Sequence, residues 1–260
     1  MMRFNTKHVL LFIIVLLVNA CELPHQPGPM PKDIVETEFE PGLNILGVLR
    51  ADDVMGSSFI VINRALTTEE IYSEYIPNFS PEVDFARVRS VRSGDDYFFS
   101  KGEDTTDWGN YLDTTLTIET GESYSLEIQA PGFPLLTANT RIPQKPEAVT
   151  GSISVEQDRV TFQLQHDPGA FEYKLYLLFP DKVLEKVVKP MNEEFIEIEW
   201  GFSSSNGSPV FLMLSALDEN LTRYGNSPIS FIPNTYHADG STVDGGYGCF
   251  GSVAITIYEL

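Results

Sequence analysis

From residue 43 onward, apolar and polar residues alternate in short runs separated by turn residues. Successive side chains of a β-strand point to opposite faces, so this alternation predicts half-buried strands. Runs over 43–49, 58–62 and 85–91 fit the pattern, the last alternating apolar residues with basic or polar ones. Residues 116–119 and 124–128 flank the turn Thr120-Gly121-Glu122 and predict a β-hairpin. Further strands are predicted over 151–155, 160–164, 173–179, 195–200, 210–217 and 254–258, and 183–188 fits helix or strand and is taken as strand. One stretch departs from period two. Thr67 with Glu70 three residues later forms a capping box, Ile71 and Tyr75 lie one turn apart, and Pro77 is a stop, which predicts a short helix near 68–76.

Turn signals such as Asp167-Pro168-Gly169 and Pro180-Asp181 recur between these runs. Short strands at that spacing predict an all-β chain built of immunoglobulin-like β-sandwich modules. Ile142-Pro143 and Lys145-Pro146 mark a boundary. It divides the chain into an N-terminal β-sandwich module over 42–144 and a C-terminal immunoglobulin- or fibronectin-like one over 147–260.

The first forty residues follow other rules. Arg3 and Lys7 precede an unbroken apolar run over 9–18, and Asn19-Ala20-Cys21 follows, the order of a secretory signal peptide over 1–20. A helix over that run is roughly 15 Å long against a hydrocarbon core of about 30 Å, too short to span it. Leu17-Val18-Asn19-Ala20-Cys21 resembles the lipobox of bacterial lipoproteins, which implies lipidation on Cys21 and a membrane anchor through that lipid. Pro24, Pro27, Pro29, Pro31 and Pro41 then predict a semi-extended, flexible tether over 21–41. Glu22 is not the aspartate linked with inner-membrane retention, which points to the outer membrane and leaves the periplasmic or surface face open.

Charge removes one class of partner. The chain has 37 acidic residues against 17 Lys and Arg, a net charge of −20, and loss of the signal peptide makes it more acidic by two charges. Such a surface repels nucleic acid. With Cys21 lipidated, Cys249 has no partner for an internal disulfide, and its apolar neighbours predict a small buried hydrophobe.

Candidate chemistry is sparse. His8, His25, His166 and His237 stand apart, without the spacing of a metal site, and no Gly-x-Ser-x-Gly elbow occurs. Residues 246–251 formally fit G-x-G-x-x-G, but a dinucleotide site needs a helix after that motif, and only nine residues of strand-like pattern follow. The better reading makes Gly245, Gly246, Gly248, Phe250 and Gly251 a structural motif, a glycine-permitted turn or bulge beside a strand. Asp95, Asp96, Asp104 and Asp107 lie in an acidic stretch and are weak calcium candidates; they lack calcium-loop spacing, and a solvated acidic loop is the stronger reading. No catalytic residue and no cofactor is expected, so the chain reads as a non-enzyme. Its many carboxylates leave a hydrolase as the least favoured alternative.

Several patches resemble a family of Bacteroidota outer-membrane lipoproteins catalogued as a domain of unknown function. Phe59 to Ala65 is similar to its V-x-V-x-R-(T/A) strand, Ala86-Arg87-Val88 to its A-x-V strand, and Gly121, Tyr124 and Leu126 to its G-x-x-Y-x-L hairpin. Ala138, Thr140 and Pro143 resemble its A-x-T-x-x-P pattern. The most specific piece runs from Asp244 to Gly251 and resembles E-G-G-x-G-V-F-G, with departures at Asp244 and Cys249. The resemblance implies an envelope lipoprotein, often encoded beside TonB-dependent transporters, and carries no catalytic residues. The function expected is an accessory or binding module with an outer-membrane β-barrel transporter as partner and the ligand unknown; a structural or adhesive surface lipoprotein is the alternative. Asp104-Thr105-Thr106 and Asp113-Thr114-Thr115 also resemble O-glycosylation sites of that phylum, at Thr105 and Thr114.

Overall fold

The computed structural model describes residues 41–52, 54, 56–71, 73, 76–102, 110–190, 193–203, 207–227 and 240–260. Cys21 and almost all of the proline-rich stretch lie outside them, as do Thr105 and Trp108. The chain is all-β. Its strands are β1 (Leu43–Ala51), β2 (Phe59–Arg64), β3 (Phe85–Ser90), β4 (Asp96–Lys101), β5 (Asn110–Leu112), β6 (Ser123–Gln129), β7 (Leu136–Arg141) and β8 (Ser154–Val155). They continue with β9 (Arg159–Gln165), β10 (Glu172–Leu178), β11 (Val183–Val188), β12 (Phe195–Gly201), β13 (Phe211–Leu217), β14 (Val243–Asp244) and β15 (Gly246–Glu259). Among the described residues two short helices, α1 (Thr68–Ile71) and α2 (Glu219–Gly225), interrupt them.

Twelve strands form one sheet in the order β11-β10-β13-β15-β1-β2-β5-β4-β3-β6-β7-β14, and β12-β9-β8 form a second. The fourteen-residue β15 is the pivot. Its first part runs parallel to β1, from Gly246 opposite Leu43 to Ala254 opposite Ala51. Its last part runs antiparallel to β13, from Val253 opposite Leu217 to Glu259 opposite Phe211.

Two buried clusters follow from inward-facing alternate residues. The first gathers Leu43, Ile45, Ile60, Ile62, Val88, Leu126, Ile128, Leu136 and Phe250. The second gathers Val160, Phe162, Leu164 and Ile198 from the small sheet against Tyr173, Leu175, Leu212 and Leu214 from the large one. Phe250 and Ala254 belong to the first and Tyr258 packs against the second, so one strand carries side chains into both.

Where β13 ends, α2 takes the space beside the first part of β15. The Asn220 side-chain amide donates to Phe250 O on β15 at 2.8 Å and to Asn139 O on β7 at 2.7 Å. A side chain thus supplies donors that a neighbouring strand would have supplied.

Three expectations change. Residues 116–119 are not a strand; β6 pairs instead with β3 and β7. The run 151–155 contracts to Ser154–Val155. The helix near 68–76 is described only over Thr68–Ile71. Its capping box is present, with Thr67 N donating to Glu70 Oε2 at 2.9 Å and Glu70 N to Thr67 Oγ1 at 3.3 Å.

Candidate binding surfaces

The acidic stretch divides on inspection. Asp104 and Asp107 lie outside the described residues, and Asp95 is exposed. Asp96 receives Arg89 Nε at 2.7 Å and Arg89 Nη2 at 2.9 Å, with Arg87 Nη1 at 3.6 Å. The hydrogen bonds from Arg89 hold its carboxyl below the usual carboxylate range. Guanidinium groups therefore occupy the oxygens that a calcium ion would need. Among the described residues no three His, Cys, Asp or Glu side chains converge on a metal position. Thr114 is exposed in the turn capped by Asp113.

The glycine motif is a packing seam. Gly248 has φ +103, and a Cβ there would stand 1.9 Å from Ile45 O on the parallel neighbour β1. At Gly251 a Cβ would meet Leu221 N and Asp218 Oδ1, both at 2.9 Å, where α2 begins. Gly245 and Gly246 approach Leu135 and Leu136 in the same way. Phe250, fully buried, lies over Gly47. Cys249 between them is also fully buried, and burial pushes its thiol up to about 12.

Beside this seam lies a buried polar knot that the sequence did not mark. Asp218 caps α2 by accepting from Leu221 N at 2.9 Å and accepts a short hydrogen bond from Thr140 of β7. Thr140 Oγ1 also reaches Ser252 Oγ at 3.1 Å, and Ser252 Oγ donates to Arg141 O at 3.0 Å. Burial raises the Asp218 carboxyl above its ordinary value, outweighing the hydrogen bonds from Thr140, Leu221 and Ser252 that favour ionisation. The sequence signal available was Asp218 itself, an N-cap residue three before Leu221. Every member of the knot bonds within the protein, which makes it a clasp between β7, β15 and α2.

The outward faces of the large sheet differ in their balance of polar and apolar residues. On β3, β4, β6 and β7 charged residues dominate: Arg87 lies opposite Glu127 and pairs with it, Arg89 lies opposite Asp96, and Glu127 lies opposite Thr137, although Phe98, also opposite Arg87, is 58% exposed. Across β11, β10, β13 and β15 the outward face is mostly apolar, with Glu259, Glu185, Lys174 and Ser215 set among the apolar positions. Val183, Leu178 and Phe211 stand in one row, Tyr176, Met213 and Ile257 in the next, and Val187 and Ile255 in a third. Four of these are open to solvent: Val183 at 58%, Val187 at 49%, Phe211 at 38% and Ile257 at 61%. Half-buried Leu46, Val48, Phe59 and Val61 continue the apolar face across β1 and β2. Four strands spaced about 4.8 Å apart and three outward rows cover roughly 400 Å², polar positions included.

A cleft of about 490 Å³ opens where β4 changes partners. Phe99 still lies opposite Ala86 of β3, but Ser100 and Lys101 lie opposite Leu112 and Tyr111 of β5. The strands fork there, and Glu82, Val83, Asp84, Phe99, Lys101 and Tyr111 line the opening. Burial, and then the nearby Glu82 charge, raises the Tyr111 hydroxyl, which stays protonated and able to donate.

The profile of a family described as a domain of unknown function (DUF4249) matches residues 30–259. No curated protein matches the chain. Among solved structures it is similar to type I pullulanase from Bacillus subtilis str. 168 complexed with maltose, at 11% identity and a TM-score of 0.23, over 69% of this chain and 24% of that one. It is similar to a tetra-tandem repeat in the extending region of a large adhesion protein, at 9% identity and a TM-score of 0.24, over 85% of this chain and 49% of that one. It is similar also to the chicken interferon gamma receptor alpha chain, at 14% identity and a TM-score of 0.22, over 68% of this chain and 87% of that one. The chain thus spans about a quarter of the pullulanase and half of the adhesion repeat. At these scores the likenesses carry no argument.

Proposed function

The chain belongs to the DUF4249 family, a domain of unknown function, and on that premise we propose that it is a lipid-anchored outer-membrane lipoprotein serving as a non-enzymatic accessory or binding module. Its partner in this reading is an outer-membrane β-barrel transporter of the TonB-dependent kind. The lipobox at Cys21 and the proline-rich stretch after it support the anchor. Two immunoglobulin-like modules sharing their last strand is the architecture we infer, since three strands face four across the second cluster.

The observation that carries the reading is the contrast between the two outward faces. Ion pairs dominate one, where Phe98 is exposed beside them, while the other presents Val183, Val187, Phe211 and Ile257 to solvent. A stable interface buries about 800 Å² on each side, which the patch approaches when the β1 and β2 stripe is added. A second copy is the poorer occupant, because two chains of net charge −20 repel each other. Edge-to-edge pairing at β11 is also blunted, since Lys186 reaches across to donate to Glu199 O at 2.6 Å.

Co-purification tests the reading. The tagged chain, extracted from native envelopes in mild detergent, recovers a stoichiometric β-barrel partner. The doubly substituted Phe211→Asp, Ile257→Lys chain, with unchanged circular dichroism and unchanged membrane attachment, loses it. Equal recovery by both chains removes this face from the docking role. Recovery of the native chain alone removes the accessory reading and favours a free-standing surface module.

A further inference from the structure

We propose that β15 is a folding switch: neither buried cluster closes until residues 246–259 are free to join, so the chain stays open and fit for export until that strand is made. The link to export rests on the lipoprotein reading above, while the switch itself rests on topology. Modules made one after another generally fold in that order, the N-terminal one first. Here that order is blocked. Strands β1 to β7 are complete at Arg141, yet the first cluster also needs Phe250 and Ala254. Gly47, over which Phe250 lies, has no side chain of its own to fill that space.

β15 enters between the first strand of that cluster and the last. On one side it pairs with β1 from Gly246 to Ala254. On the other, Ser252 Oγ donates to Arg141 O of β7 at 3.0 Å, and Asn220 bridges Phe250 O to Asn139 O. Without β15, the inward-facing Leu43, Ile45 and Leu49 of β1 stand on an open edge, and β7 stands near another. The second cluster has the same dependence. β13 pairs with β10 on one side and β15 on the other, so its fully buried Leu212, Leu214 and Ala216 belong to an edge strand until β15 arrives. About a hundred residues separate Arg141 from Gly246, roughly 5–20 s of synthesis at about 5–20 residues per second. Through that interval the N-terminal segment has strands without a closed core, a state that can still be threaded through a translocation channel.

Ribosome-arrested chains test the switch. The sequence from Glu22 to Leu260 is arrested with residues 242–260 inside the exit tunnel, and again behind a linker that brings them out. Brief proteolysis is expected to degrade residues 41–227 in the first chain and to leave both clusters resistant in the second. Phe250→Asp behind the same linker is expected to keep residues 41–141 sensitive. A resistant fragment over 41–141 or 147–227 before the strand emerges overturns the proposal. Equal resistance of the Phe250→Asp chain overturns it as well. So does equal digestion of the hidden and emerged chains, since release of β15 would then close nothing. These chains lack the signal peptide and never meet the export machinery, so the result stands whether or not the lipoprotein reading holds.

Discussion

Asp218 shows how one buried carboxyl can carry a junction. It caps α2 and receives Thr140 from β7, while Ser252 of β15 completes the knot. Asp218→Ala removes the cap and the hydrogen bond from Thr140, whose hydroxyl keeps only Ser252, at a cost of about 1–2 kcal/mol. Asp218→Asn keeps an acceptor for Leu221 N and costs less. The two also differ in pH dependence. Because burial raises the native carboxyl above its ordinary 3.8, the folded chain holds this proton more tightly than the unfolded chain. The associated stability is fully present below the unfolded value and is lost as pH rises through the folded one. Asparagine has no such proton, so its deficit against the native chain narrows between about pH 3 and neutrality. Urea melts at both ends of that window measure the gap, and a gap that widens refutes the protonated state at low pH.

At the scale of elements, β15 depends on glycine where its parallel neighbour comes closest. Gly248→Ala meets two obstacles, a φ of +103 and a Cβ position 1.9 Å from Ile45 O. The backbones must separate, and a loss of about 3 kcal/mol or more is expected in denaturant melts. A loss under about 1 kcal/mol indicates that the β1–β15 contact yields easily. The sequence singled out these glycines because the motif is local, but as a turn or bulge beside a strand over 254–258; Gly246, Gly248 and Gly251 instead lie within β15. It foretold the Thr67–Glu70 capping box for the same reason. The hairpin over 116–128 failed because its apparent strands are close in sequence, whereas β6 finds its partners in β3 and β7. β7 was overlooked since its inward residues include Ala138 and Thr140, which leave a faint apolar pattern. Neither the apolar face nor the cleft was legible. Runs such as 173–179 look the same whether one face of the sheet is covered or both. The cleft depends on a fork that brings Glu82 and Asp84 toward Lys101 and Tyr111, residues far apart in the chain.

At the scale of the whole molecule, the question is whether two buried clusters make two independent units. The boundary near Pro143 suggests separable modules, but β15 is one continuous strand from Gly246 to Glu259. Opening the second cluster strips β13 from Val253–Glu259, and opening the first strips β1 from Gly246–Ala254. The two ladders overlap at Val253 and Ala254. The Asp218 knot adds a buried link across the junction, so opening either cluster disturbs residues that the other uses. Cooperative unfolding in one transition is therefore expected, as in small single domains. Two reporters separate the alternatives. Trp200 packs in the second cluster, and Trp108→Phe leaves it the sole tryptophan of the chain. Cys249 lies on the part of β15 paired with β1, and its buried thiol, pushed up to about 12, reacts only on opening. Trp200 fluorescence and Cys249 alkylation should change at the same urea concentration. Fluorescence lost well before the thiol becomes reactive makes the clusters independent, and the last strand would then have to fray at its middle.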